Sequence, residues 1–283
     1  MRLEMFYCPK SCNGKYREDM AEIVKTVEEA GLDFNYYELT DESLEAITAL
    51  STDADIIVVA GGDGTVNRVF NATYRLDKPY IILPFGSGND FAKTFDCPKT
   101  GRELLRTIEG MKTSTTDLWE LNEKYVFVQS IFVGLSIKTI EIKEELGCNG
   151  YLKPIIEALK VYVPEYMRVC TENAIVEGNY LIAALQNVKT TCNGLKMTYE
   201  SKVDDGCLEI LLCPYLGKFR LFMNLLATKL SWVCKQPNAT TLKTKDMYIS
   251  GNSDITYTVD GEIRRSKDLK IRLSDKKATI IHL

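Results

Sequence analysis

The chain has 283 residues, of which 45% are hydrophobic and 26% charged, so it can bury the core of one large or two modest domains. A net charge of −4 excludes a general basic surface for nucleic acid, and a single histidine, His282, argues against histidine-based catalysis or zinc binding. Nine cysteines without a Cys-x-x-Cys pair are typical of reduced thiols in a cytoplasmic protein.

Strand-like and helical patterns alternate through the N-terminal half. The patterns predict strands over 2–7, 34–39, 55–60 and 80–83, and helices over 16–30, 44–50, 66–74 and from 90 onward. The run over 55–60 is continuously apolar, as expected of a strand that is buried on both faces. This alternation predicts a parallel sheet with helices on both sides, in which ligands bind at the carboxyl ends of the strands.

The loop after the third predicted strand is rich in glycine. Gly61, Gly62 and Gly64 would let backbone N–H groups approach a phosphate, and the helix that follows adds positive potential. Asp63 would repel a phosphate unless a cation were present, so we expect it to bind Mg²⁺ or to polarise an attacking hydroxyl. Thr65 can add a side-chain hydrogen bond. The alternative is a tight turn in which Asp63 caps the helix.

A second unusual loop follows the strand over 80–83 and runs from 84 to 90. Ser87 can donate to a phosphate oxygen, and Asn89 or Asp90 can cap the next helix. Because consecutive strands of such folds are often neighbours, we expect the two loops to line one cleft. A plain capped turn is the alternative.

The C-terminal half is predicted to be mainly strands. The strands are expected over 125–137, 179–187, 196–200, 207–212, 247–250, 255–259 and 269–273. Helical patterns interrupt them over 152–162 and 218–230. This mixture indicates an antiparallel sandwich.

The two loops together resemble the diacylglycerol kinase catalytic domain. The resemblance lies in Gly-Gly-Asp-Gly-Thr-Val-Asn over 61–67 and Pro-Phe-Gly-Ser-Gly-Asn-Asp-Phe-Ala over 84–92. NAD kinases and phosphofructokinases share a similar first loop, and the Asn-Asp-Phe-Ala ending separates the lipid kinases from them. The resemblance implies a phosphofructokinase-like α/β nucleotide domain over 1–118, with about 275–283 returning to it, and a β-sandwich lipid-substrate domain over 119–274.

The resemblance also implies ATP as the phosphoryl donor and a lipid hydroxyl as the acceptor. The residues that would contact the nucleotide are Thr40, Gly61, Gly62, Asp63, Gly64, Thr65, Val66, Asn67, Gly86 and Ser87.

Two acids outside the loops match the family by position. Glu262 ends a Val-Asp-Gly-Glu run over 259–262, and the resemblance implies that it is the general base. Asp117 would join Asp63 and Glu262 in a water-linked Mg²⁺ network. Taken alone, Asp-Gly is an ordinary hairpin signal, and Asp117 is an aspartate that ends a loop.

The run Asp-Asp-Gly-Cys-Leu-Glu over 204–209 resembles a structural Mg²⁺ site of bacterial relatives. Carried over to this chain, the ligands would be the Asp205 carboxylate and the backbone carbonyls of Lys202 and Cys207. The alternative is an acidic hairpin turn with Gly206 at positive φ.

Some positions depart from the family pattern. Cys8 and Cys12 replace the usual asparagine and glycine after the first strand, and Arg68 replaces an acid. These changes leave two alternatives open: a kinase for a soluble acceptor such as NAD or a sugar phosphate, and a nucleotide-binding regulator without turnover.

The expected setting is a cytoplasmic protein that meets its lipid at a membrane surface. No apolar run approaches the ~20 residues of a membrane span. Apolar residues over 221–232 could form a lipid-facing helix or pack in the core. The resemblance also favours a homodimer, because bacterial relatives are commonly dimers.

Overall fold

The structure is a computed structural model that describes residues 1–40, 42–147, 152–191, 196–198, 200–215, 217 and 238–283. The predicted helix over 218–230 and the apolar run over 221–232 lie outside these ranges. The N-terminal elements are β1 (Arg2–Tyr7), α1 (Arg17–Glu29), β2 (Asp33–Glu38), α2 (Leu44–Ser51), β3 (Ile56–Gly61), α3 (Asp63–Thr73), β4 (Tyr80–Pro84) and α4 (Gly101–Gly110).

The four N-terminal strands form a parallel sheet in the order β2-β1-β3-β4. Alternate side chains of β3 enter two separate cores. Val59 packs on the side of α2 and α3, and Val58 packs on the side of α1 and α4. The predicted sheet with helices on both faces is therefore confirmed. Because β1 lies between β2 and β3, strand order reverses at β1, which places the ligand-binding edge at the loops after β1 and β3.

The C-terminal half is dominated by antiparallel pairing, as predicted. Its elements are β5 (Lys112–Leu121), β6 (Tyr125–Phe127), β7 (Ser130–Gly134), α5 (Leu135–Leu146), α6 (Leu152–Val161), β8 (Glu165–Thr171), β9 (Ile175–Gln186), β10 (Leu208–Pro214), β11 (Thr240–Thr244), β12 (Asp246–Val259) and β13 (Glu262–His282). A third core forms between these strands around Trp119, Leu185 and Ile271.

Three predicted elements were wrong. The strand expected over 125–137 divides into β6, β7 and the start of α5. The chain turns at Gly134, whose φ is +101° and where a Cβ would lie 2.4 Å from the carbonyl oxygen of Leu181. The helix expected from 90 onward is a short 3₁₀ turn, Ala92–Thr94. The described residues within 196–200 do not form a strand.

Strand β13 connects the two halves. It pairs first with β12, then with β5, and its end pairs with β4 through Ile280 and Tyr80. The side chain of Ile280 packs in the same core as Val59. The backbone N–H of Leu283 donates to the carbonyl of Asp96 at 2.9 Å. The C-terminal residues are therefore part of the N-terminal sheet.

Candidate active site

The two glycine loops touch each other at the carboxyl ends of β3 and β4. A Cβ on Gly86 would lie 2.2 Å from the Cα of Gly62, so neither backbone leaves room for a side chain. The N–H of Phe85 donates to the carbonyl of Gly61 at 3.0 Å. Around Gly64, by contrast, a Cβ would meet no atom within 4 Å. The loops thus form one tight unit with an open position at Gly64.

Asn89 stabilises the second loop from within. Its side-chain Nδ2 donates to the carbonyls of Pro84 and Gly86 at 2.9 and 2.8 Å, and its Oδ1 accepts from the N–H of Gly86 at 2.8 Å. Its φ of +53° lies in the left-handed region that asparagine tolerates. Ser87 is exposed on this loop, where its hydroxyl can reach a ligand.

Asp63 links the first loop to the second. Its carboxylate accepts hydrogen bonds from the N–H groups of Asp90 and Phe91 at 3.2 and 3.1 Å. Burial raises the pKa of Asp63, while these two hydrogen bonds oppose the shift. The capping alternative therefore describes its direct contacts, although the segment it caps is the one after β4 rather than its own helix, α3.

Val66 and Asn67 already have partners within the protein. Val66 is a core residue, and its N–H already donates to the carbonyl of Gly62 at 3.1 Å. Asn67 is buried, and its Nδ2 donates to the carboxylate of Asp260 at 2.5 Å. The expected contact of these two residues with the nucleotide stays a prediction, and it would have to be made alongside these contacts within the protein. Thr65 packs over Gly61, so a Cβ on residue 61 would collide with the side chain of Thr65.

Thr40 lies on a loop that is bound by Arg68. A guanidinium N–H of Arg68 donates to the carbonyl of Thr40 at 3.0 Å, and a second donates to the carbonyl of Glu42. The hydroxyl of Thr40 donates to the carboxylate of Glu42 at 3.2 Å. Arg68, which departs from the family pattern, therefore fixes this loop against α3.

Asp260 is a buried acid that the sequence interpretation treated only as part of a turn. Its carboxylate accepts from the backbone N–H groups of Val128, Gln129 and Ser130 at 3.1, 3.1 and 2.9 Å, in addition to Asn67. Burial outweighs these hydrogen bonds and raises the pKa of Asp260 to about 6. The Asp-Gly-Glu run was the available signal.

Glu262 lies two residues further on, at the exposed start of β13. Its carboxylate is 2.9 Å from the guanidinium of Arg264, which lies 4.0 Å from the ring centroid of Tyr125. The hydroxyl of Tyr125 donates to Oδ1 of Asn67. A chain of contacts therefore connects Glu262 to α3, directly behind the first glycine loop.

Asp117 has different neighbours from those expected. Its fully buried carboxylate accepts from the N–H of Gly206 at 2.6 Å and lies 2.7 Å from Nζ of Lys277. Its direct contacts are thus with the acidic turn that precedes β10 and with β13, and the expected water-linked network with Asp63 and Glu262 stays a prediction.

The acidic turn itself does not present a clear Mg²⁺ cage. The carboxylate of Asp205 is exposed and accepts from the N–H of Cys207 at 3.1 Å, and Gly206 has a φ of +69°. Nζ of Lys277 donates to the carbonyl of Asp204 at 3.2 Å, so an ammonium already lies at this turn. Among the described residues, no group of three or more His, Cys, Asp or Glu side chains is placed to hold a metal. The predicted set of Asp205, Lys202 and Cys207 supplies one carboxylate and two backbone carbonyls, and the ammonium of Lys277 at the same turn would repel a divalent ion.

Comparison with known proteins covers both halves of the chain. A family model described as the diacylglycerol kinase catalytic domain matches residues 2–121, and one described as the YegS C-terminal NAD kinase beta sandwich-like domain matches residues 138–281. A diacylglycerol kinase of Staphylococcus haemolyticus (strain JCSC1435) is 24% identical over 273 residues, which are 91% of this chain and 81% of the relative. A diacylglycerol kinase of Staphylococcus aureus (strain MRSA252) is 24% identical over 271 residues, which are 92% of this chain and 86% of the relative.

Solved structures show the same fold. The crystal structure of a diacylglycerol kinase from Bacillus anthracis str. Sterne has a TM-score of 0.74 at 20% identity, with 100% of this chain and 97% of that chain covered. A second structure from the same strain has a TM-score of 0.80 at 20% identity, with 100% of this chain and 95% of that chain covered. The combination of an α/β domain and a sandwich-like domain is therefore confirmed.

Proposed function

Because this chain belongs to the diacylglycerol kinase catalytic-domain family, we propose that it transfers the γ-phosphoryl group of Mg-ATP to a lipid hydroxyl, with diacylglycerol as the first candidate acceptor. A kinase of the lipid type is what the family and the relatives support. The observation that carries the proposal is the contact between the two glycine loops at Gly62 and Gly86, with Asp63 bonded across them.

The loops would hold ATP with backbone groups. Helix α3 begins at Asp63, next to the open position at Gly64, and the positive potential of a helix N-terminus favours a phosphate there. Phosphoryl transfer needs mainly positioning and neutralisation of charge. Magnesium bound to ATP would supply that neutralisation, and Asp63 and the exposed Ser87 are the side chains of the two loops that could contact it.

Glu262 is the better candidate for the general base, although burial raises the pKa of Asp260 to about 6. A base must reach the hydroxyl whose proton it takes. Asp260 is 5% exposed and already accepts hydrogen bonds from four donors, whereas the side chain of Glu262 is 53% exposed. We therefore assign proton removal to Glu262 and assign to Asp260 the positioning of the turn that carries it.

The acceptor would be met at a membrane surface. No helix of the described part of the chain is long and apolar enough to cross a membrane. A lipid kinase without such a helix would take its substrate from the surface of a bilayer. The homodimer expected from the family resemblance stays a prediction.

A radiolabelled ATP assay with a lipid panel, and with NAD as a soluble acceptor, tests the proposal. We expect Glu262→Gln to lower kcat for the lipid by about 10²-fold or more, because the amide cannot accept the proton. The matched control is Glu123→Gln, since Glu123 is also exposed and paired with a cation, Lys270, at 2.6 Å. It should retain wild-type activity.

Two outcomes would contradict the assignment. Glu262→Gln with wild-type kcat would remove Glu262 as the base. Labelling of NAD without labelling of any lipid would place the protein among kinases of soluble acceptors.

A further inference from the structure

The buried carboxylate of Asp117 lies where β5, β13 and the acidic turn meet. Asp117 and Lys277 are directly opposite in the antiparallel pairing of β5 with β13. Nζ of Lys277 is 2.7 Å from Oδ1 of Asp117, and the two groups form an ion pair. The angles of this contact are not those of a hydrogen bond. A fully buried carboxylate requires such a partner, because an unpaired charge in the interior is strongly destabilising.

The other contacts of Asp117 fix the position of the turn. Its Oδ2 accepts from the N–H of Gly206 at 2.6 Å, and its own N–H donates to the carbonyl of Val203 at 2.5 Å. The side chain of Val203 packs against the core of the N-terminal half. The turn therefore helps to join the strand-rich half to the N-terminal sheet, and the two hydrogen bonds of Asp117 hold it in place.

Lys277 contacts the turn as well as the acid. Its Nζ donates to the carbonyl of Asp204 at 3.2 Å, while 45% of its side chain stays exposed. One ammonium thus bridges a carboxylate oxygen and a carbonyl oxygen, which are the hard oxygen donors that would otherwise suit Mg²⁺. A divalent ion placed beside it would be repelled by the ammonium and would also have to shed part of a tightly held water shell.

We propose that Lys277 supplies the positive charge at the Val203–Gly206 turn, so that the turn folds without bound Mg²⁺. The resemblance to bacterial lipid kinases implied a metal here, and the contacts of Lys277 indicate a built-in cation instead. This inference concerns folding of the turn and does not depend on phosphoryl transfer to any acceptor.

The test is the thermal unfolding of the nucleotide-free full chain in EDTA and in excess MgCl₂. The wild type should have the same Tm in both. Lys277→Met should lower Tm by about 5 °C in EDTA, because Asp117 loses its counter-charge, and should regain part of that loss in MgCl₂. Lys277→Arg should behave like the wild type.

The matched control is Lys270→Met on the same strand. Lys270 is 2.6 Å from Glu123, but both side chains are more than half exposed, so the loss of this pair should change Tm little. If Lys277→Met does not fold, the double variant Asp117→Asn with Lys277→Met removes both charges and should restore folding.

Two results would overturn the inference. One is a wild-type Tm that rises in MgCl₂ as much as that of Lys277→Met, which would show a metal bound beside the lysine. The other is a Lys277→Met variant with the wild-type Tm in EDTA. Neither measurement contains ATP or lipid, so a failure of this inference can be distinguished from a failure of the kinase assignment.

Discussion

Replacing Gly86 with alanine is expected to abolish phosphoryl transfer and to destabilise the protein by about 3 kcal/mol or more. The added Cβ would lie 2.2 Å from the Cα of Gly62 and 2.7 Å from Oδ1 of Asn89. The first atom is backbone, and the second belongs to a side-chain amide that makes three hydrogen bonds, so neither atom can yield easily. Urea denaturation gives the loss of stability, and ATP turnover in lipid micelles gives the loss of activity.

Gly64→Ala is the matched control for this prediction. Its Cβ would meet nothing within 4 Å, so the free energy of unfolding should stay within about 1 kcal/mol of the wild type. The methyl group would still enter the open position that we assign to a phosphate, so KM for ATP should rise. Equal destabilisation by the two substitutions would contradict the packing argument.

The second large effect is expected for Asp260→Asn, which should lower kcat by about 10²-fold and cost about 3 kcal/mol of stability. The four groups around this side chain, three backbone N–H groups and the amide of Asn67, all donate hydrogen bonds. Asparagine would replace one acceptor oxygen with a donor that faces donors. The turn that carries Glu262 would then lose its anchor. Steady-state kinetics and urea denaturation measure the two effects.

The same residue predicts a pH dependence of stability. In the folded protein its pKa is about 6, above the ordinary value of 3.8, so the folded state binds this proton more tightly than the unfolded state does. The contribution of this proton to the free energy of unfolding is therefore present at low pH and lost as the pH rises through the folded pKa. The stability of the wild type relative to Asp260→Asn should fall by about 1 kcal/mol between pH 5 and pH 7. A difference that grows with pH would contradict the shift.

Local patterns predicted the N-terminal half well because each strand and helix there has its own periodicity. Two misses have local explanations. Helix α4 was not predicted as a separate element, although a Thr-x-x-Glu capping signal was present. The helix begins after Thr100, whose Oγ1 accepts from the N–H of Glu103 at 3.2 Å. The start of α5 was predicted as strand because the apolar pattern of β7 continues past Gly134 to Ile137, although the chain turns at Gly134.

The glycine loops of the site could be predicted because their residues are consecutive in sequence. Its long-range contacts could not. Asn67 and Asp260 are 193 positions apart, and the pairing of Asp117 with Lys277 depends on the register of β5 against β13. No local pattern encodes that register, because it follows from the packing of the core around Trp119, Leu185 and Ile271. For the same reason the contact of Asp117 with Lys277 was not predicted.

Formation of phosphatidic acid from diacylglycerol and Mg-ATP in mixed micelles tests the central claim most directly. The wild type should form the product, and Asp63→Asn should form it about 10²-fold more slowly, because the bonds that link the two loops and the charge between them are both altered. Asp77→Asn, at an exposed aspartate outside the loops, should match the wild type. A wild-type protein that binds ATP and yet phosphorylates no lipid, or an Asp63→Asn variant with full activity, would contradict the account.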